Sequence, residues 1–171
     1  MQRIYLLSTG GTIEKVYSEQ SGVVENRAAK LDRYLRMLRL PDAEIRAEHL
    51  MNKDSLEMTD ADRAEVRDRV AKLLNSESGE PAPIVISHGT DTMVETGKFL
   101  EQSFPDLKVP IVLTGAMTPL GFEGSDGLQN LTESLLAARL LAPGVYIVMH
   151  GQVFPVSHAR KDKDKATFVW A

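Results

Sequence analysis

Two runs of this chain hold the residue types best suited to chemistry. One is Ser8-Thr9-Gly10-Gly11-Thr12-Ile13 and the other is Ser87-His88-Gly89-Thr90-Asp91-Thr92-Met93. Each follows a short apolar stretch and sets a threonine hydroxyl beside glycine. A hydroxyl becomes a nucleophile when a base removes its proton. Glycines let the backbone turn tightly and approach a ligand, where aligned N–H groups can receive an anion or a developing oxyanion. The first run reads equally as a plain strand-to-loop turn. A phosphate loop is the weaker reading, because both G-x-G-x-x-G and the P-loop lysine are missing. In the second run, Asp91 suits either the N-cap of a following helix or a carboxylate at a crevice rim that holds a substrate ammonium.

A base for either threonine is available in Arg160-Lys161-Asp162-Lys163-Asp164-Lys165. Lys161 or Lys163, held neutral by burial or by positive neighbours, would serve. The same cluster also reads as a solvated charged loop. His88 ends an apolar stretch with no orienting acid nearby in sequence, which fits a satisfied structural histidine better than a catalytic base.

The elements that must present these runs can be read from periodicity. Ile4–Ser8, Pro83–Ser87, Pro110–Thr114 and Val145–His150 are apolar throughout, as strands covered on both faces are. Glu44–Met51 is a more polar strand, as befits an edge. Helical stripes lie between them: Ala28, Leu31, Leu35 and Leu38 in Asn26–Leu40; Val66, Val70, Leu73 and Leu74 behind a cap at Thr59 or Asp60; Val94, Phe99 and Leu100 in Asp91–Phe104; and Leu128, Leu131, Leu135 and Ala138 behind Ser125 or Asp126. Strands that alternate with helices predict a three-layer α/β/α fold with a mostly parallel, flavodoxin-like (doubly wound) sheet. Such sheets bind ligands at the carboxyl ends of their strands, where strand order switches. Both threonine runs fall at such ends, and so does Thr114-Gly115-Ala116-Met117. The segment Glu14–Glu25 has no clear period and is expected to be a mobile lid over the site.

The bulk properties narrow the field. A length of 171 residues predicts one domain over 1–171. A net charge of −4 offers no broad basic face for nucleic acid. There is no cysteine, hence no disulfide or thiolate site. The histidines His49, His88, His150 and His158 lack metal-ligand spacing, so no metal is expected. No stretch is long and apolar enough for a signal peptide or a membrane span, which predicts a cytoplasmic protein without membrane contact.

Together, Thr9-Gly10-Gly11-Thr12-Ile13 and His88-Gly89-Thr90-Asp91-Thr92-Met93 resemble the two signature motifs of the bacterial-type L-asparaginase/glutaminase family. Three further segments are similar to family features: Thr114-Gly115-Ala116-Met117-Thr118-Pro119 to its GAM-x-P turn, Ser125-Asp126-Gly127 with Asn130-Leu131 to its S-x-DG-x-x-NL helix start, and Asp54-Ser55-Leu56-Glu57-Met58-Thr59 to its substrate-binding loop. The resemblance runs over nearly the whole chain. It implies hydrolysis of L-asparagine to L-aspartate and ammonia through a threonine acyl-enzyme, with glutamine as the close alternative substrate and no cofactor or metal. By resemblance, Thr12 is the nucleophile, and Thr90, Asp91 and Lys161 (chosen over Lys163 by its spacing from Val145–His150) handle protons and water. Tyr17 matches the family's loop tyrosine. Gly11, Ser55, Gly89, Thr90, Asp91 and Ala116 would bind substrate. Within that set, Ser55 would hold the α-carboxylate, Asp91 the α-ammonium, and the N–H groups of Gly11 and Thr90 the oxyanion, while the Ala116 carbonyl would face the amide nitrogen.

The departures from the family also carry implications. Family members usually add a C-terminal domain that completes a neighbouring subunit's site, and this chain resembles the N-terminal catalytic domain alone. Leu56 stands where long members place a substrate-binding glutamine. Each lost charge-assisted hydrogen bond is worth roughly 1.5–3 kcal/mol, so a raised KM is expected. A homodimer or homotetramer would let a neighbour supply substitutes. Two further readings are a non-catalytic small-ligand-binding module of the same fold and an amidase for a larger side-chain amide, on a peptide or a glutamyl-tRNA.

Overall fold

The computed structural model describes residues 1–26, 30–75 and 81–171. Its centre is a six-stranded sheet built from β1 (Gln2–Gly10), β4 (Ala43–Lys53), β5 (Ile84–Ser87), β6 (Pro110–Thr114), β7 (Gly144–Met149) and β8 (Gln152–Pro155), in the order β4-β1-β5-β6-β7-β8. Every strand from β4 to β7 in that order runs parallel, and β8 closes the far edge antiparallel to β7. This is the flavodoxin-like order with one added edge strand. The chain moves from β1 to the β4 edge and then crosses to β5 on the other side of β1. The switch in strand order therefore lies between the ends of β1 and β5, where the two threonine runs begin.

The apolar strands are two-sided because two helical layers cover them. Tyr5, Leu7, Ile84, Ile86, Ile111 and Leu113 face α2 (Asp60–Leu74) and α3 (Met93–Ser103). Ile4, Leu6, Val85, Val112 and Val148 face α1 (Lys30–Leu35) and α4 (Gly127–Leu140). All residues of β5 and β6 are buried, which explains why their sequences show no alternation. The polar strand β4 is an edge, as its sequence predicts. Helix α1 is shorter than the stripe from Asn26 to Leu40 suggests, because its end tightens into turns in which Met37 N–H donates to Tyr34 O and Leu38 N–H to Leu35 O. Ala28 of that stripe lies outside the described residues.

Helix α2 starts with a capping box. The Thr59 hydroxyl accepts from Asp62 N–H, and the Asp62 carboxylate accepts from Thr59 N–H at 2.8 Å. The Lys53 ammonium lies 2.6 Å from Asp62, and its hydrogen bond, with that of Thr59 N–H, holds the carboxyl down to about 2. A carboxyl so depressed stabilises the fold fully above its ordinary value near 4 and loses that contribution as pH falls toward 2. Asp62→Asn should therefore flatten the loss of thermal stability between pH 4 and pH 2, and Thr59→Ala should cost about 1 kcal/mol at neutral pH. Thermal melts across pH read both effects.

Two hairpins complete the chain. The segment after Thr12 forms β2 (Lys15–Tyr17) against β3 (Val24–Asn26), closed by Ser18 N–H to Val23 O at 2.9 Å. A segment with no clear period thus forms a hairpin: Val16, Tyr17, Val23 and Val24 favour extended backbone, and the turn through Gly22 at φ 69° reverses it. The charged cluster also belongs to a hairpin, β9 (Ala159–Asp162) with β10 (Thr167–Trp170). Phe168 is fully buried in the core, and Trp170 meets Phe154 edge-on at 5.3 Å, which docks this hairpin on the sheet.

Candidate active site

The first run leaves β1 through Gly10 and Gly11, both at positive φ (95° and 81°), and then makes a short 3₁₀ turn over Thr12–Glu14. The second leaves β5 through His88 and Gly89. The two loops meet backbone to backbone: a Cβ built on Gly11 would lie 2.5 Å from Gly89 N and 2.6 Å from Gly89 Cα. Only a residue without a side chain fits there, in a positive-φ extended conformation that other residues reach at a cost of about 1–3 kcal/mol. Gly89 is packed in the same way against Ser55, whose Oγ would lie 2.5 Å from an added Cβ. The Thr9 hydroxyl donates to Ser87 O at 2.9 Å and joins the two strand ends. Gly11→Ala should therefore force the β1 and β5 loops apart, lower thermal stability and, on the function proposed below, cut turnover about 100-fold. Steady-state kinetics beside a thermal melt checks this.

Around this contact the other strand ends supply support. After β4, Asp54 caps a 3₁₀ turn over Ser55–Glu57 by accepting from Leu56 N–H. The Lys15 ammonium, 2.7 Å from Asp54, holds that carboxyl below the usual carboxylate range and ties the β2 strand to the Ser55 turn. The Thr92 hydroxyl donates to Ser55 O at 2.8 Å, which fixes the start of α3 on the same turn. Ser55 is buried and Leu56 is 71% exposed. After β6, the loop carrying the buried Ala116 is joined to the Thr12 turn by Leu120 N–H to Ile13 O.

The docked hairpin delivers Lys161. Its Nζ donates to Thr90 Oγ1 at 2.7 Å and to Asp91 Oδ1 at 2.9 Å. Lys163 lies past the end of β9, exposed in the turn. Asp91 is not the cap of α3, whose N-cap position is Thr92, and its carboxylate faces Lys161 instead. Thr90 is nearly buried, while Asp91 and Lys161 keep part of their surface open. A hydroxyl bridged by an amine to a carboxylate can pass a proton, and an open carboxylate beside it can receive an ammonium.

Not every expectation falls into this cluster. The Gly11 N–H donates to Lys53 O at 3.0 Å, so it is engaged in the fold and not presented to an oxyanion. The register shift between Ser8 and Gly10, which places Gly10 beside Lys53, explains this. Gly11 serves the site by its missing side chain. Tyr17 is 58% exposed on β2. His88 is fully buried, and burial lowers its pKa to about 4. Its Nδ1–H donates to Gly89 O at 2.7 Å, and its neutral Nε2 accepts from the Thr96 hydroxyl at 2.9 Å. It shapes the β5 loop and is the structural histidine that its sequence context suggests. Among the described residues no group of three or more His, Cys, Asp or Glu is arranged to hold a metal, and no helix is long and apolar enough to cross a membrane.

Sequence comparison gives the family. The N-terminal asparaginase family model matches residues 3–168. The chain belongs to the asparaginase family. Among its asparaginase relatives is the L-asparaginase of Thermococcus kodakarensis, 29% identical over 88% of this chain and 45% of that protein. The solved structure of the thermostable L-asparaginase from that organism superposes with a TM-score of 0.83 at 27% identity, covering 99% of this chain and 51% of that one. A glutamyl-tRNA(Gln) amidotransferase component from Aeropyrum pernix is 34% identical over 88% of this chain and 35% of its own length. The chain thus spans about half, or less, of the asparaginase-family proteins it matches.

Proposed function

We propose that this chain is an amidohydrolase that releases ammonia from L-asparagine and leaves L-aspartate, through an acyl-enzyme on Thr12. The Thr12 hydroxyl oxygen adds to the side-chain carbonyl carbon. The C–N bond breaks, and ammonia leaves carrying the proton that Thr12 gave up. Water then adds to the ester and returns the proton to Thr12. Thr90, Asp91 and Lys161 move these protons. Thr90 is the backbone donor for the oxyanion, and the Ala116 carbonyl orients the amide nitrogen. Ser55 and Asp91 hold the α-carboxylate and α-ammonium, with Gly89 keeping the Ser55 turn close. Tyr17 closes the mouth from the β2–β3 hairpin.

The observation that carries this reading is the Lys161 Nζ bonded to both Thr90 and Asp91, beside a backbone contact of Gly11 with Gly89, the residues that precede Thr12 and Thr90. A binding module needs a pocket, but it has no use for a threonine–lysine–aspartate chain next to a second glycine-flanked threonine. Few groups remain for the amino-acid head, and Leu56 is open to solvent. We therefore infer a high KM and a homodimer or homotetramer in which a neighbour supplies further contacts. A second reading, a larger side-chain amide as substrate, is favoured by the similarity to the glutamyl-tRNA(Gln) amidotransferase component. Coupled measurement of ammonia from asparagine, from glutamine and from an asparagine-containing peptide decides among them. Release from asparagine first supports the reading, and stabilisation by aspartate without ammonia from any of the three would sink it.

A further inference from the structure

His150 is not among the motif residues, yet it joins two walls of the site. It occupies the first position of the two-residue turn between β7 and β8, with φ 53° followed by Gly151 at 73°. Such a type I′ turn favours Asn-Gly, and histidine is a poorer fit to that backbone. The side chain explains its presence. His150 Nε2 lies 2.7 Å from Asp126 Oδ2, and His150 Nδ1 lies 2.8 Å from Thr167 Oγ1.

Each end of this bridge reaches the site. Burial pushes the Asp126 carboxyl up, but the bonds it accepts from Met117 N–H, Thr118 N–H and His150 together outweigh that and hold it below the ordinary carboxylate range, so it is ionised. It also accepts from Asn130 Nδ2, while Asn130 Oδ1 accepts from His150 N–H. An ionised carboxylate only accepts, so His150 Nε2 carries the proton. In neutral His150, Nδ1 then accepts from the Thr167 hydroxyl. Thr167 pairs with Asp162 across the last hairpin, next to the Lys161–Phe168 pair.

We propose that His150 is a positioning residue that locks the turn after Ala116 to the hairpin carrying Lys161, so that both arrive at the crevice in one fixed arrangement. This rests on the threonine-amidohydrolase reading for its kinetic consequence, but the placement of Lys161 can be measured without turnover.

The test compares His150→Asn, Thr167→Val, Thr167→Ser and the double variant His150→Asn/Thr167→Val with the wild-type chain. Asparagine suits the turn backbone but is too short to span Asp126 and Thr167. A purely structural role therefore predicts an unchanged or higher thermal midpoint with unchanged kcat. The positioning role predicts that His150→Asn and Thr167→Val each lower kcat about tenfold with KM nearly constant. Thr167→Ser restores kcat, and the double variant is no worse than either single one. Protection of the Lys161 ammonium from solvent exchange, followed by NMR and assigned with Lys161→Met, should weaken in His150→Asn. Wild-type kcat and wild-type Lys161 protection in both single variants would overturn the proposal. A weakened Lys161 signal in a chain that releases no ammonia would uphold it and sink the amidohydrolase reading instead.

Discussion

Thr12→Ala should abolish ammonia release. If Thr12 is the nucleophile, its hydroxyl makes and breaks the covalent bond, and no neighbouring group can replace it without moving the 3₁₀ turn on which it stands. The expected fall in kcat is roughly four to six orders of magnitude, as for other nucleophile removals. The thermal midpoint should hardly change, because the turn is fixed by the backbone bond from Glu14 N–H to Gly11 O and by burial of Ile13, not by the Thr12 side chain. Thr12→Ser should keep part of the activity. Intact protein mass after rapid quenching should show a bound acyl group in wild type and none in Thr12→Ala. Wild-type-like turnover in Thr12→Ala would remove the mechanism.

Lys161→Met should be the next most damaging change. The methionine keeps most of the stem that packs between the hairpin and the β5 loop but deletes the donor to Thr90 and Asp91. A misplaced or missing proton-transfer group costs about 100- to 10,000-fold in kcat. Asp91 then loses its partner charge while it stays partly open, so binding of an ammonium-bearing substrate should weaken less than turnover does. Lys163→Met should leave both parameters unchanged, since Lys163 lies in the exposed turn. Equal losses in the two variants would mean that the hairpin, and not the amine of Lys161, matters.

The parts of this design that were legible in the sequence follow a physical rule. β5 and β6 announce themselves because strands covered on both sides must be apolar throughout. The helix cap at Thr59 or Asp60 and the glycine-flanked threonines are equally local signals. The hairpins were harder to read. β2, β3, β9 and β10 are only three or four residues long, too short for a period to emerge, and charged residues fill the last hairpin's turn. Lys161 and Lys163 are two residues apart and would share a face of any strand that held both. Only the end of β9 at Asp162 separates them. Asp91 matches a helix cap in its local sequence, and what takes it away from that role is a lysine 70 residues downstream. His150 is invisible to motif reading because its partners, at 17 and 24 residues' separation, lie on different elements.

The docked last hairpin has a consequence for how the protein comes into being. Thr12, Gly89, Thr90 and Asp91 all precede residue 92, and the last parallel strand, β7, ends at Met149. Lys161 arrives after them, and Phe168, which seats it, later still. A nascent chain thus extrudes both threonine loops well before the hairpin that carries Lys161, and the core beneath them stays open until Phe154 and Phe168 enter it. Closure of the core by Phe168 and arrival of Lys161 at Thr90 and Asp91 therefore coincide, because one hairpin performs both.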